Sequence, residues 1–368
     1  MNEVLVPYSG KKAPSDGVQT TFISTDTYKL KVEKTIKGVL GRVGGGSTMG
    51  YKLAGFDVVG CNEIDPRMNS IYVINHHPKH NYLCDIRELV KMDLPEELYN
   101  LDILDGSPPC SSFSMAGSRS DDWGKEKKFR EGQVSQVLDT LFFDFISLAE
   151  RLKPKVVVAE NVKGLMLGDA KEYMRNIIDG FDKAGYYTRY FLLNGRKMGL
   201  PQKRERVFFV CLRKDLAGKF LVPDGLFDEN VEIDMCFNEE DCNVGEFVDF
   251  NGDPITGGKL RLLWDNRAFG DRQQKEANER LYGKSANFGQ SYVYLDMPAP
   301  TLTAHKDVLI HFYRPMYTSV QECCCISSFP QDYNFGKEQP WYVCGMSVPP
   351  VMMANVASNI YEQWLSKL

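Results

Sequence analysis

Residues 38–59, GVLGRVGGGSTMGYKLAGFDVV, contain the pattern that decides the fold of this chain. A short apolar run leads into a glycine cluster, and a helical pattern then leads to a second apolar run. A strand, a glycine-rich turn, a helix and a parallel strand form the unit from which doubly wound sheets are built. The glycines also let a ligand approach the backbone at the start of the helix, although such turns occur without ligands as well.

The same alternation continues to about residue 212 and predicts an α/β fold with a Rossmann-like, doubly wound and mostly parallel sheet. The predicted strands are 36–40, 56–61, 100–105, 155–159, 187–193 and 206–212. The predicted helices are 47–54, 66–76, 134–152 and 169–184. We therefore expect one domain at 36–213, preceded by a loosely structured N-terminal extension at 1–35.

The alternation stops after Arg213. Segment 214–260 holds twelve acidic residues and only a few basic ones, and an aromatic and basic stretch follows it. These features predict a second, smaller domain at 214–297. Helical patterns near 318–328 and 350–366 predict that residues 298–368 return to the first domain.

The chain has 368 residues, of which 43 % are hydrophobic and 25 % charged, a globular mixture that excludes a disordered or fibrous protein. No stretch approaches the roughly 18 apolar residues of a membrane span, and the N-terminus lacks the order of a signal peptide. We expect a cytoplasmic protein with no membrane partner. A net charge of −5 argues against binding nucleic acid over the whole surface, but it leaves room for a local basic groove. Ten cysteines without a CxxC pair predict mostly reduced thiols.

The second apolar run ends in NEID, which brings Glu63 to the position where a carboxylate commonly accepts hydrogen bonds from a ribose. Together with the glycine cluster, this position indicates a nucleoside-containing cofactor. Since no second phosphate-binding feature is present, an adenosyl ligand without a pyrophosphate is the expectation. A solvated carboxylate at the end of a strand is the alternative that the residues alone leave open.

The segment DILDGSPPCSSFSMAG, residues 102–117, follows another predicted strand. Pro108 and Pro109 stiffen the backbone before Cys110, and the small residues after it suit a loop that closes over a substrate. The carboxyl ends of parallel strands border the crevice where open sheets bind ligands. Cys110 is therefore predicted to be a nucleophile, against the simpler alternative of a packed thiol.

Two further segments contribute charged side chains. The apolar run in KPKVVVAENVKGL leads to Glu160, whose ionised form should be disfavoured by burial so that it can donate a proton. In LPQKRERVFFVCLR, Arg204 and Arg206 are two residues apart and are expected to face one side of a strand. A thiolate that adds to carbon 6 of a pyrimidine, with a proton or hydrogen bond at N3, makes carbon 5 nucleophilic. Because stacking covers the face of the ring, the base must be flipped out.

With these residues, the sequence resembles the cytosine-C5 DNA methyltransferases over about 36–213 and 298–366. The motifs that carry the resemblance occur in order as the glycine turn, NEID, CDIREL, PPC, TLFFD, ENV, QKRER, RPMYTSVQE, SFPQDY and GMSVPP. The resemblance implies a class I methyltransferase fold and transfer of a methyl group from S-adenosylmethionine to carbon 5 of cytosine in double-stranded DNA. It also implies a protein that acts as a monomer in the cytoplasm of a bacterium or a phage-infected host.

The resemblance further implies roles for individual residues. Cys110 would be the thiolate, Glu160 would contact N3, and Arg206 would hold the base O2 with Arg204 beside it. In the cofactor site, Glu63 would bind the ribose, Ile64 the adenine face and Asp85 the adenine amine. The implied cofactor-binding residues are Gly44, Gly45, Gly46, Glu63, Ile64, Asp85, Ile86, Pro109, Leu141, Met346 and Ser347.

The segment 214–297 lies where the family has its target-recognition domain. DNA contact is expected in 259–292, where basic and aromatic residues alternate. These residues are Arg261, Arg267, Arg272, Lys275, Arg280 and Lys284, with Trp264, Phe269, Tyr282 and Phe288. An ordinary amphipathic surface is the alternative.

Three motifs depart from the family pattern, at four positions. Gly41 and Val43 replace an aromatic residue and the first glycine of the turn, Ser111 replaces a glutamine, and Met346 replaces an asparagine. These changes raise the alternative of a modified S-adenosylmethionine analogue or of a transferred group other than methyl. A transfer RNA cytosine-C5 methyltransferase and a catalytically inactive DNA-binding homologue are further alternatives.

No metal site is expected. The spacing of His76, His77, His80 and Cys84 matches no standard zinc pattern. Consecutive residues on a helix point about 100° apart, so Cys323, Cys324 and Cys325 cannot face one ion together.

Overall fold

The computed structural model describes residues 4–5, 22–23, 39–41, 45–108, 126–127, 136–137, 140–168, 170–225, 228–284 and 289–368. The chain forms two compact units. The larger unit comprises Lys29–Leu193, Glu205–Cys236 and Met353–Leu368. The smaller unit comprises Met1–Tyr28, Asn194–Arg204 and Phe237–Met352. Within the described part of the chain, no helix is both long enough and apolar enough to cross a membrane.

A seven-stranded sheet forms the centre of the larger unit. In chain order its strands are β1 (Val39–Gly41), β2 (Gly60–Glu63), β3 (His80–Leu83), β4 (Ile103–Gly106), β5 (Val156–Val162), β6 (Tyr186–Asn194) and β7 (Glu205–Arg213). Their order across the sheet is β6-β7-β5-β4-β1-β2-β3. The strands from β3 to β5 in this order are parallel, and β7 is antiparallel to β5. The predicted Rossmann-like, mostly parallel α/β sheet is confirmed.

The helices of this unit follow the strands. They are α1 (Gly46–Leu53), α2 (Pro66–His76), α3 (Ile86–Leu89), α4 (Leu141–Leu152) and α5 (Ala170–Lys183). Two short antiparallel strand pairs complete the unit, Glu126–Lys127 with Gln136–Val137 and Leu221–Pro223 with Glu229–Val231. The helix Pro350–Gln363 contributes its C-terminal part to it.

Aromatic packing of α4 on the sheet forms much of the core. The Phe142 ring is fully buried and makes edge contacts with Phe209 of β7 and Phe181 of α5, at centroid distances of 5.6 and 6.2 Å. Gly106, at the end of β4, allows the Phe145 side chain of α4 to approach the strand closely, because a Cβ atom on residue 106 would lie 2.5 Å from Cε2 of Phe145. The glycine therefore decides how tightly α4 packs against the strand that leads towards Cys110.

Three elements differ between the prediction and the structure. The edge strand β3 was not predicted, because its four residues, HNYL, alternate between half-buried and exposed and form no apolar run. The predicted strand 56–61 is found at Gly60–Glu63. The helix predicted at 134–152 begins at Leu141, since Gln136–Val137 pairs with another strand and its backbone groups serve that ladder.

The smaller unit has its own core. Its helices are α6 (Gly258–Asp265), α7 (Gln274–Tyr282), α8 (Val320–Ile326) and α9 (Pro340–Met346). Its strands are Ser291–Val293, parallel to Leu309–His311, and Val4–Leu5, antiparallel to Phe22–Ile23. The buried core residues Ile255, Trp264, Tyr292, Tyr294, Ile310 and Phe312 pack together.

The limits of the two units differ from the predicted domains. Most of the segment predicted at 298–368 belongs to the smaller unit, because Leu309–His311 pairs with Ser291–Val293 there. Conversely, residues up to Cys236 belong to the larger unit, where the carbonyl of Glu232 accepts a hydrogen bond from Trp364 Nε1 at 2.8 Å. Contacts over long sequence separations decide both limits, and periodicity along the chain does not report such contacts.

Candidate active site

A pocket opens beside the carboxyl ends of β2, β3 and β4 in the larger unit and encloses about 550 Å³, including space open to solvent. Four residues predicted to bind the cofactor line it, namely Ile64, Asp85, Ile86 and Leu141. Asp85 also begins α3, where its carboxylate accepts the N–H of Arg87 at 2.8 Å. The structure thus brings together in one wall several residues that lie up to 77 positions apart in the sequence.

Glu63 lies at the end of β2, and backbone groups hold its carboxylate in place. Its Oε1 atom accepts the N–H groups of Ile64 and Asp65, both at 2.8 Å, and the residue is only 5 % exposed. This burial argues against the alternative of a solvated carboxylate. A buried carboxylate next to the pocket residue Ile64 suits the hydroxyl groups of a ribose.

The glycine turn is described in part. Gly45 precedes α1 with φ 75°, a left-handed conformation that favours glycine, and it is buried together with Gly46. No side chain caps the start of α1, so its first N–H groups are not satisfied by a capping residue. Gly44, Pro109 and Cys110 lie outside the described residues.

Glu160 and Arg206 form a buried ion pair on the adjacent strands β5 and β7. Arg206 Nε lies 2.9 Å from Glu160 Oε1, and the two side chains are 15 % and 10 % exposed. The prediction for Glu160 considered burial alone, whereas the structure also places a guanidinium beside its carboxyl group. Burial lowers the pKa of the Arg206 guanidinium, and the Glu160 charge opposes that shift. The pair can offer a carboxyl oxygen and guanidinium N–H groups to the edge of a bound base.

Sequence reasoning missed Asn161, the residue after Glu160. Its Nδ2 donates a hydrogen bond of 3.0 Å to the carbonyl of Pro108. Since Pro108 lies two residues before Cys110, this bond ties the approach to the cysteine to the strand that carries Glu160. The signal was present in the ENV motif, but a polar residue beside a candidate acid does not identify its partner.

Sequence reasoning also missed Asp105 in β4. Its carboxyl group lines the pocket, is 4 % exposed and accepts a hydrogen bond from the Tyr51 hydroxyl at 3.2 Å. The other oxygen, Oδ2, has no hydrogen-bond partner among the described residues. A buried, unsatisfied carboxyl oxygen in a pocket wall calls for a polar or charged ligand group. Together with apolar walls and the Asp85 carboxylate, it fits an adenosyl ligand that carries positive charge.

The expectation that Arg204 faces the substrate beside Arg206 needs correction. Arg204 belongs to the smaller unit, is 2 % exposed and donates hydrogen bonds to the carbonyls of Leu302, Gly345 and Ser347 at 2.9, 2.7 and 3.0 Å. Its guanidinium therefore links two backbone segments, one at Leu302 and the other at Gly345 and Ser347. A spacing of two residues predicts a shared face only within one regular strand, and β7 begins after Arg204, at Glu205.

Met346 and Ser347 end α9 of the smaller unit. The side chain of Met346 is 44 % exposed, whereas Ser347 is buried and its hydroxyl donates to the carbonyl of Val343 at 2.7 Å. Gly345 has no room for a side chain, because a Cβ atom there would lie 2.4 Å from the backbone of Thr303. The Arg204 contact and this close approach together determine the shape of the segment.

The basic and aromatic stretch of the smaller unit divides into paired and exposed groups. Arg280 pairs with Asp271 at 2.5 Å, and the Arg267 guanidinium lies 3.3 Å from the ring centroid of the buried Trp264. These cations stabilise the unit itself. By contrast, the Phe269 side chain is 81 % exposed beside them. Phe288, which was predicted to belong to this surface, lies outside the described residues.

The histidines and cysteines considered as metal ligands have other surroundings. Burial lowers the pKa of His76 to about 3, and His80 pairs with Glu97 at 3.0 Å. Cys323, Cys324 and Cys325 are all buried in α8. Among the described residues, no group of three or more potential ligands could hold a metal ion.

Comparison with known proteins adds the following. The family model for C-5 cytosine-specific DNA methylase matches residues 43–362. The Type II methyltransferase M.NgoPII of Neisseria gonorrhoeae is 33 % identical over 342 residues, which cover 86 % of this chain and 92 % of that protein. The Type II methyltransferase M.FnuDI of Fusobacterium nucleatum is 28 % identical, with 88 % and 93 % covered. In fold, the chain is similar to a DNMT2 variant of Spodoptera frugiperda, with a TM-score of 0.59 and 16 % identity over 88 % of this chain and 99 % of that one.

Proposed function

Since this chain belongs to the C-5 cytosine-specific DNA methylase family, we propose that it transfers a methyl group from S-adenosylmethionine to carbon 5 of a flipped-out cytosine in duplex DNA. The observation that carries the proposal is the buried ion pair of Glu160 and Arg206. It lies beside Asn161, whose side chain hydrogen-bonds the carbonyl of Pro108, two residues before Cys110. Its Type II methyltransferase relatives favour this activity over a transfer RNA enzyme or an inactive scaffold.

The chain's own residues divide the work. The Cys110 thiolate bonds to carbon 6 of the base, and in the complex a protonated Glu160 carboxyl group donates a hydrogen bond to N3, where negative charge develops. Arg206 orients Glu160 and donates to the base O2. Carbon 5 thereby becomes nucleophilic. Once carbon 5 carries the methyl group, a base removes the proton from carbon 5. The bond between carbon 6 and the Cys110 sulfur then breaks, so that the thiolate is released.

The pocket of the larger unit is the proposed cofactor site. Bound there, S-adenosylmethionine supplies an electrophilic methyl group. Ile64 and Ile86 offer apolar surface to the adenine, Asp85 accepts from its amine, and Glu63 accepts from the ribose hydroxyls. Leu141 closes the wall, and Gly45 and Gly46 leave the start of α1 accessible. Gly44 and Pro109 complete the proposed set in this unit, and the family resemblance also assigns Met346 and Ser347 to the cofactor.

The smaller unit is the proposed target-recognition unit. Its exposed Phe269 and the basic residues around it would contact duplex DNA, while Arg204 positions the segment that contains Gly345 and Ser347. We expect the protein to act as a monomer, without a metal ion, on DNA in the cytoplasm of a bacterium or a phage-infected host.

Expression in a bacterium that lacks DNA methylation, followed by mass spectrometry of total nucleosides, tests this function. The expected product is 5-methyldeoxycytidine in DNA with no matching change in RNA. The Cys110→Ser variant is the control and should give no product. A heavier modified nucleoside, a product in RNA alone, or full activity of the variant would each contradict the proposal.

A further inference from the structure

Asp105 has no role in the reaction described above, yet it lies in the wall of the cofactor pocket. It is 4 % exposed, and its Oδ1 atom accepts the Tyr51 hydroxyl at 3.2 Å. Its Oδ2 atom has no hydrogen-bond partner within the described ranges. Since buried polar atoms are normally hydrogen-bonded, this unsatisfied oxygen in a pocket wall points to a ligand group as its partner.

The charged residues that line the pocket are acidic, and Arg87, which is outside the lining, lies 3.6 Å from the Asp85 carboxylate. Asp85 and Asp105 are the charged residues among those described in its lining, and no lysine, arginine or histidine is present there. In a concave site of low dielectric, two carboxyl groups favour a positively charged ligand over a neutral one of the same shape. The pocket therefore has an electrostatic preference that its apolar residues cannot produce.

The register of the sheet locates Asp105 relative to the catalytic pair. Asp105 pairs with Val158 of β5, and Glu160 is two residues further along that strand on the same face. β4 then continues through Ser107 and Pro108 towards Cys110. Asp105 is thus on the side of the pocket from which the chain leads to the nucleophile. Ile64 and Asp85 follow β2 and β3, which lie on the other side of β1.

We propose that Asp105 determines cofactor specificity: its carboxylate recognises the positive sulfonium of an adenosyl cofactor and discriminates it from the uncharged thioether that remains after transfer. The proposal rests on the function proposed above. A sulfonium loses its charge when its methyl group leaves, so a carboxylate beside it favours binding of the cofactor and release of the product.

The ionisation of Asp105 makes this discrimination dependent on pH. Burial and the Glu160 charge raise the pKa of Asp105, hydrogen bonds from Tyr51 and Ser47 lower it, and the net result is a pKa of about 7. The titratable groups that face it are Tyr51 on α1, Tyr72 on α2 and Glu160 on β5. Since only the ionised form attracts a cation, preference for the sulfonium should increase as the pH rises through about 7.

Isothermal titration calorimetry with two probes, S-adenosylmethionine and S-adenosylhomocysteine, tests the proposal between pH 6 and 8. Both probes carry the same amino-acid and adenosyl groups, so the ratio of their dissociation constants isolates the charge on sulfur. For the wild type, the preference for the sulfonium should increase about tenfold over this range, as the ionised fraction of a group with a pKa near 7 does.

The Asp105→Asn variant keeps the shape of the side chain and removes its charge. It should lose about tenfold of the preference at pH 8 and show no increase with pH. Tyr51→Phe keeps the carboxyl group but removes a hydrogen bond that lowers its pKa, so this second variant should retain the increase and move it to higher pH. If Asp105→Asn weakens the binding of both probes equally, or if the ratio of the wild-type dissociation constants does not change with pH, the role assigned to Asp105 is wrong while the proposed function stands. Failure of the wild type to bind either probe would overturn the proposed function, and this inference with it.

Discussion

Replacing Arg206 with methionine tests how much the active site depends on its buried ion pair. The variant leaves Glu160 in place, 8 % exposed, without the guanidinium that now lies 2.9 Å away. At an effective dielectric of 20, two unit charges at this separation attract each other by about 6 kcal/mol. Removing one member of a buried pair typically costs about 3–5 kcal/mol, because the remaining charge is desolvated and uncompensated. We expect a loss within that range, a large share of the stability of an ordinary domain.

Urea unfolding followed by circular dichroism measures this loss, and a second variant keeps the test decisive. In Arg206→Met/Glu160→Gln the uncompensated charge is absent, so at least half of the lost stability should return. Covalent capture of an oligonucleotide that contains 5-fluorocytosine should fail in both variants, since both lack a group that contacts the base. If the double variant is as unstable as the single one, the destabilisation comes from lost packing, and the electrostatic reasoning is wrong.

Three further predictions concern other parts of the chain. Gly106→Ala should destabilise the larger unit by about 1–3 kcal/mol, because its Cβ atom would lie 2.5 Å from the Phe145 ring, and Phe145→Leu should restore part of the urea midpoint. The fully buried Glu322 should make the stability of the protein depend on pH. Burial tends to raise its pKa, but hydrogen bonds from His311 and from backbone N–H groups lower that pKa overall. A lowered pKa contributes stability above the unfolded value of about 4.3 that is lost as the pH falls, so Glu322→Gln should flatten the acid side of a urea-midpoint profile, and an unchanged profile would contradict this. Phe269→Ala should leave the free energy of unfolding within about 0.5 kcal/mol of the wild type and should weaken duplex DNA binding without changing its salt dependence. Arg272→Ala should instead reduce by about one the slope of the logarithm of the DNA-binding constant against the logarithm of the salt concentration. Equal salt slopes for the two variants in fluorescence anisotropy would argue against this surface.

Much of the larger unit could be predicted from the sequence, since local patterns specify its elements. Five of the six predicted strands coincide with observed strands over much of their length. The sixth, predicted at 56–61, overlaps only the first two residues of β2. The apolar run before Glu160 is fully buried as expected. The edge strand β3 escaped prediction because one side of it is exposed, so its residues need not be apolar.

The candidate site could be predicted less completely. Ile64, Asp85, Ile86 and Leu141 line one pocket, in agreement with the roles that the family resemblance implies. Asp105 escaped notice because a single aspartate in a strand looks like any polar interruption until its neighbours are known. Its burial depends on Tyr51 and on strands on both sides of it, and these contacts arise only in the folded chain.

Arg204 and Arg206 mark the boundary between what the sequence by itself determined and what the tertiary structure decided. The sequence determined the order of strands and helices, the glycine turn, and the positions of Glu160 and Cys110 after apolar runs, because periodicity and turn chemistry act over a few residues. It could not determine that one arginine would bind carbonyls near residues 302, 345 and 347 while the other paired with Glu160. Those partners come from distant segments, and only the packing of the folded chain selects which of them a buried guanidinium meets.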